Sequence, residues 1–390
     1  MILRKKDTYM ANKKFFMGFW NYTRAGRLNE AQAACDWKEL GMNLAMSSIF
    51  LRGDDKRLML AQLDEAEKNE IKLIICDERT LWRNLENGEE NYIKEVESAV
   101  ADFGAHPAFY AFCVGDEPSR KELELAIKAV RIVDARSKAF LNFLPMADEP
   151  FVSDYLLKDK HDYEDVLADA VERSGISTIC YDNYTQCYMR NKEYGIDQYF
   201  DNLRIYRNVA ERCGTDFWTT LLCVGHWFYR VPTENDIRWQ ISTAAAHGVK
   251  GLLWFFIYSR DLIEDNYRDA PIDCFYRRTP MFDILARQNN IFMKFFAERF
   301  AQAKLEKVYH YKTAYGGMPL YRKGDIAGLD LQSEYGNNLI LSEFSSPDGD
   351  FLVVVNNMQG ADDSDKVYGT LNEKPFQEWL APGQMAIIEK

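Results

Sequence analysis

The sequence lacks paired cysteine spacings: its eight cysteines include no C-x-x-C, and with only five histidines no Cys/His cluster forms. That excludes the usual zinc patterns and a disulfide framework. Cys76, Cys113, Cys180 and Cys223 instead fall inside apolar runs, where a free thiol packs as a small hydrophobe. No apolar run approaches the roughly 20 residues of a membrane span, so none is expected. Positive charge is scarce, with 48 Lys and Arg against 60 Asp and Glu, a net charge of −12. This balance argues against a nucleic-acid or anionic-membrane partner. A glycine-rich dinucleotide turn is missing after the first strand-like run, Phe15 to Tyr22, so neither a nucleotide cofactor nor any other is expected. Met1-Ile2-Leu3-Arg4-Lys5-Lys6 is basic without a following apolar stretch, and no secretory leader is read there. Unpaired cysteines suit the cytoplasm, with a periplasmic or secreted location open if a leader was trimmed. Nothing in the chain indicates an oligomeric state.

What is present is core material. Hydrophobic residues make up 47% and aromatics 14% of 390 residues, more than one ordinary core requires. Strand-like and helix-like segments alternate. Phe15–Tyr22, Asn43–Ser48, Ile71–Cys76, the run ending at Val114, Ala139–Leu144, Ile176–Tyr181, Phe217–Val224 and Gly251–Ile257 are short apolar runs. Amphipathic patterns separate them, several opened by capping signals such as Ser119 with Glu122 and Thr233 with Asp236. Eight such units predict an α/β fold, a (β/α)8 TIM barrel over residues 1–302. From 303 to 390 the pattern changes to short alternating runs between turns such as Pro347-Asp348-Gly349 and Ala381-Pro382-Gly383. That predicts a small antiparallel β-sandwich.

The fourth run carries the chemistry. His106 to Pro118 reads HPAFYAFCVGDEP, a buried strand that ends in two adjacent carboxylates. Pro118 has no N–H and stops the ladder, leaving Asp116 and Glu117 at the carboxyl end, where such barrels keep their active sites. Acidic residues also favour a helix N-terminus for dipole reasons alone. The other predicted strand ends contribute Asp77, Asp182, His226 and Tyr258, and Trp20, Trp227 and Trp254 are candidate stacking surfaces.

The fourth-strand stretch resembles that of clan-A glycoside hydrolases, whose motif ends Asn-Glu-Pro. QISTAAAHGVKGLLWFFIY, from Gln240 to Tyr258, resembles the seventh helix and eighth strand of family 42 β-galactosidases and their relatives. The resemblance implies a barrel followed by a β-domain, a carbohydrate substrate, and Glu117 as general acid/base. Asp116 stands where the family has a hydroxyl-binding asparagine. The family's nucleophilic glutamate ends the seventh strand, but this chain reads LLCVGHW there. Glu234 follows inside a helix-start signature. Tyr181-Asp182-Asn183-Tyr184 is faintly similar to the Tyr-Asp motif of family 18 chitinases, and Asp182 is the favoured second carboxylate.

Glycosidic cleavage requires one protonated and one ionised carboxyl. The anion at Asp116 and aromatic walls would both raise the pKa of Glu117. The expected function is a glycoside hydrolase acting through Glu117 and Asp182, with Asp77, Asp116, Trp20, His226, Trp227, Trp254 and Tyr258 contacting substrate. The alternatives are a non-catalytic carbohydrate-binding barrel and a divalent-metal lyase or isomerase using Asp77, Asp116, Glu117 and Asp182. No strand-ending lysine is present to serve as that enzyme's base, and no metal is assigned.

Overall fold

Eight parallel strands alternate with helices, as the apolar runs predict: β1 (Phe16–Phe19), β2 (Leu44–Met46), β3 (Lys72–Ile75), β4 (Phe109–Asp116), β5 (Ala139–Phe143), β6 (Thr178–Asp182), β7 (Asp216–Leu222) and β8 (Gly251–Phe255). The computed structural model describes residues 14–147, 162–260 and 266–390. The basic N-terminal hexapeptide lies outside them. Neighbours in sequence are neighbours in the sheet, and β1 returns beside β8 with Phe16 opposite Gly251. The remaining seam, between β1 and β2, is joined by Asn43. Its N–H donates to Met17 O (3.0 Å), its Oδ1 accepts from Met17 N (2.9 Å), and its Nδ2 donates to Phe15 O (2.9 Å). One polar side chain thus stands in for a ladder.

Both faces of the strands are apolar because both are covered. Ile74, Ala111 and Leu253 point into the barrel, while Leu73, Phe112 and Leu252 meet the surrounding helices. The capping boxes at Ser119 and Thr233 form as their spacing predicts. The longest helix runs over Lys192–Cys213 among the described residues. Gly195 in its first turn permits close contact: a Cβ there would lie 2.0 Å from Thr185 O. The barrel ends in two helices, Pro280–Phe295 and Ala297–Gln302, broken at Phe296.

Beyond Gln302 the chain is antiparallel. A four-stranded sheet, in the order β15 (Met385–Glu389), β12 (Phe351–Asn356), β11 (Leu339–Ser345) and β9 (Lys304–Tyr311), faces a three-stranded one of β10 (Leu329–Ser333), β13 (Asp365–Leu371) and β14 (Lys374–Leu380). Leu341, Val354, Val367 and Leu371 pack between the sheets, as a sandwich requires. The other face of the larger sheet joins the barrel core through Ile340 and Val353. Trp239 Nε1 donates across this boundary to Asn357 Oδ1 (2.7 Å).

Candidate active site

At its carboxyl end β4 departs from regular pairing. Its register against β5 slips between Cys113 and Gly115, and Gly115 adopts φ +150°. The ring of Trp82 occupies the place of a side chain there: a Cβ on Gly115 would lie 1.8 Å from it. Two residues later Glu117 has φ +47°, uncommon for a residue with a side chain. Its N–H donates to Asn142 O (3.0 Å). These two irregularities turn the side chains of Asp116 and Glu117 into one cleft, although consecutive strand residues ordinarily point to opposite faces.

Asn142, the one polar residue in the otherwise apolar strand AFLNF, organises the carboxyls. Its Nδ2 donates to Asp116 Oδ1 (3.0 Å) and to Asp182 Oδ1 (2.7 Å). The Glu117 carboxyl and the Tyr184 hydroxyl lie close enough to Asp182 to influence its protonation. Protein surrounds Glu117, and that burial together with the like charges of Asp182 and Asp116 pushes its carboxyl up to about 10. Burial and the charge of Asp182 push Asp116 up to about 7. Both side chains remain open to water inside the cleft, so screening tempers the contribution of burial until a ligand fills the space. Burial raises Asp182 as well, and the hydrogen bond from Asn142 tempers the rise without cancelling it. All three carboxyls therefore hold a proton more tightly than a free carboxyl does.

The cleft has a volume of about 550 Å³. Trp20 stacks on Tyr22 (6.1 Å between centroids) and anchors its Nε1 on Thr220 Oγ1 (3.0 Å). Phe255 stacks on Tyr184 at 5.3 Å, and His226 lies 5.1 Å from Phe255 and 5.0 Å from Tyr229. Trp227, 53% exposed with φ +44°, forms the rim. Among the described residues the lining contains no lysine or arginine. Arg260 lies over the Tyr22 ring at 5.2 Å. No group of three or more His, Cys, Asp or Glu among the described residues is arranged to hold a metal ion.

Of the residues singled out in the sequence, Asp116, Glu117, Asp182, Trp20, His226 and Trp227 line this cleft. Asp77 lies in an adjoining lobe, 1% exposed, where it caps the turn Glu78–Thr80 and pairs with Arg79 at 2.7 Å. Trp254 and Tyr258 are not at the mouth. Trp254 donates to Asn289 Oδ1 (3.1 Å), and Tyr258 OH accepts from Trp37 Nε1 (2.7 Å), both in the layer between strands and helices. In β8 the inward phase belongs to Leu253 and Phe255, which puts Trp254 on the outer face. A strand apolar on both faces gives no sequence signal of that phase. Glu234 is on a helix surface, paired with Arg287 at 2.7 Å. Sequence reasoning passed over Asn142, Tyr22, Tyr184, Tyr229 and Phe255. Only Asn142 carried a signal, as a lone amide in a buried run.

No protein-family model and no curated protein matches this sequence. Solved structures do. The β-galactosidase of the psychrophilic Marinomonas ef1 superposes with a TM-score of 0.54 at 9% identity, over 73% of this chain and 61% of that one. For the β-galactosidase of Bacillus circulans sp. alkalophilus the values are 0.57 and 10%, over 76% and 58%. The chain therefore spans less than two thirds of the length of either enzyme. The endo-β-1,4-mannanase of Thermotoga petrophila matches nearly end to end, with TM-score 0.51, 11% identity, and 95% and 98% coverage. Similarity at this level of identity carries the fold, which is one that glycoside hydrolases use, as the fourth-strand resemblance implied.

Proposed function

We propose that the protein is a glycoside hydrolase in which Glu117 is the general acid and Asp182 the ionised carboxylate beside it. The observation that carries this reading is the convergence of Glu117, Asp116 and Asp182, the last two joined through Asn142, in an aromatic cleft at the carboxyl face of the barrel. Burial and the neighbouring carboxylates favour the protonated form of Glu117 at neutral pH. As the bond from the anomeric carbon to the leaving oxygen breaks, that proton passes to the oxygen. Positive charge then develops on the sugar ring, and the carboxylate of Asp182 stabilises it. Water adds to the anomeric carbon and returns a proton to Glu117, which closes the cycle. Asp182 acts as the charge that tunes Glu117 and supports the cationic ring.

The test is kinetic. Glu117→Gln keeps shape and removes the proton, so kcat should fall by about 10²–10⁴-fold with KM little changed. A glycoside with a good aryl leaving group needs less protonation and should lose less. Asp182→Asn should slow both kinds of substrate alike. A loss below tenfold for Glu117→Gln counts against the acid role, and a parent protein that binds sugar without cleaving any glycoside is a binding barrel.

A further inference from the structure

Past Trp20 and Tyr22 the cleft continues into a second lobe of about 390 Å³, which shares those two residues and Asp116 with the first. Its character differs. Met46, Ile49, Leu51, Leu81 and Trp82 form its walls. Of the charged groups at its edge, Asp77 pairs with Arg79 at 2.7 Å, Glu78 with Arg52 at 2.6 Å and the exposed Arg83 with Glu122 at 3.4 Å. Asn21 Oδ1 accepts from both the N–H and the hydroxyl of Thr23. The first lobe, by contrast, offers Asn142, Asp182, Asn183 and several tyrosines.

We infer that the second lobe receives the leaving group of the glycoside, and that this group is an apolar aryl or alkyl alcohol rather than a further sugar. The inference rests on the hydrolase reading and deepens it by naming the substrate class. Asp116 borders both lobes, and the adjacent Glu117 protonates the leaving oxygen, so that oxygen sits at the junction with its substituent directed between Trp20 and Trp82. A pyranose in the second lobe would find few partners beyond Arg83 and Asp116 for its hydroxyls, and each unpartnered one lowers affinity by about tenfold. A buried methylene raises affinity by up to about fourfold. The same wall supplies a reporter, the half-buried Cys76 thiol.

Two measurements decide the matter. Methyl, butyl and hexyl glycosides of one cleaved sugar differ little in leaving-group acidity, so kcat/KM should climb at least tenfold from methyl to hexyl. In Leu81→Asp and in Ile49→Asp the hexyl-to-methyl ratio should fall toward one. A flat series in the active parent enzyme overturns the proposal. Independently of hydrolysis, 2-naphthol should slow alkylation of Cys76 by N-ethylmaleimide at least threefold, followed by mass spectrometry of the Cys76 peptide, and Leu81→Asp should abolish that protection. Protection in a protein that cleaves no glycoside keeps the apolar-alcohol lobe and removes the hydrolase. Absence of protection in the parent protein overturns the lobe.

Discussion

Glu117→Gln separates function from stability at a single residue. The folded protein holds the Glu117 carboxyl well above its ordinary value, so the chain takes up a proton there on folding. A group raised in this way contributes its full stability below the unfolded value near 4.5 and loses it as pH rises toward the folded value. Gln carries no such dependence. The variant should therefore melt higher than the parent at pH 8 and no higher at pH 4, while its activity collapses; equal melting at both pH values would mean that Glu117 is not raised. The same electrostatics set the pH profile of kcat/KM. Its alkaline limb should lie above pH 7, and Asp116→Asn, by removing a neighbouring anion, should move that limb to lower pH. The limb reports the interacting cluster rather than one carboxyl, so the direction of movement is the diagnostic.

At the scale of the element, the end of β4 shows what the sequence revealed and what it concealed. The apolar run, the two carboxylates and Pro118 marked both the strand and the site. The register slip and the positive φ values were concealed, because Gly115 is demanded by a ring from a separate segment, Trp82. Long-range packing of that kind has no local signature. Strand phase was equally hidden: Trp254 and Phe255 are adjacent aromatics in a strand covered on both sides, and only closure of the barrel decides which faces the cleft. Capping residues, whose partners lie three positions away, were legible, as Ser119 with Glu122 and Thr233 with Asp236 demonstrate. Gly115→Ala tests the packing argument. The added methyl meets Trp82, which is 2% exposed and has little room to retreat, in a backbone conformation that disfavours any side chain. Overpacking and strain together should destabilise by on the order of 3 kcal/mol in urea unfolding. A loss under about 1 kcal/mol would mean that the ring yields.

In the whole molecule, the barrel and the β-sandwich meet over a pair of histidines that catalysis does not use. His247 follows the helix Glu234–Ala246 and His310 lies in β9, with ring centroids 5.7 Å apart. His247 Nδ1 donates to Thr243 O (2.7 Å), and His310 Nδ1 accepts from Tyr315 N (3.2 Å). Phe200 covers both rings, at 5.2 Å from His247 and 4.6 Å from His310. Burial lowers His310 to about 3, and burial together with His310 and Arg207 lowers His247 well below its ordinary value. Both are neutral in the folded protein. An unfolded chain protonates them near pH 6.5, so their contribution is complete above that pH and is lost progressively as pH falls toward the folded values. Each group then subtracts up to about 1.4 kcal/mol per pH unit. Urea midpoints measured from pH 7 to pH 4.5 should therefore fall steeply in the parent protein and less steeply in His247→Asn/His310→Asn, where neither side chain titrates. The double variant loses ring packing and should be the weaker protein at pH 7, so the slope rather than the midpoint carries the test. Parallel slopes would assign the acid sensitivity to carboxylate ion pairs elsewhere, and the seam between barrel and sandwich would then have no part in it.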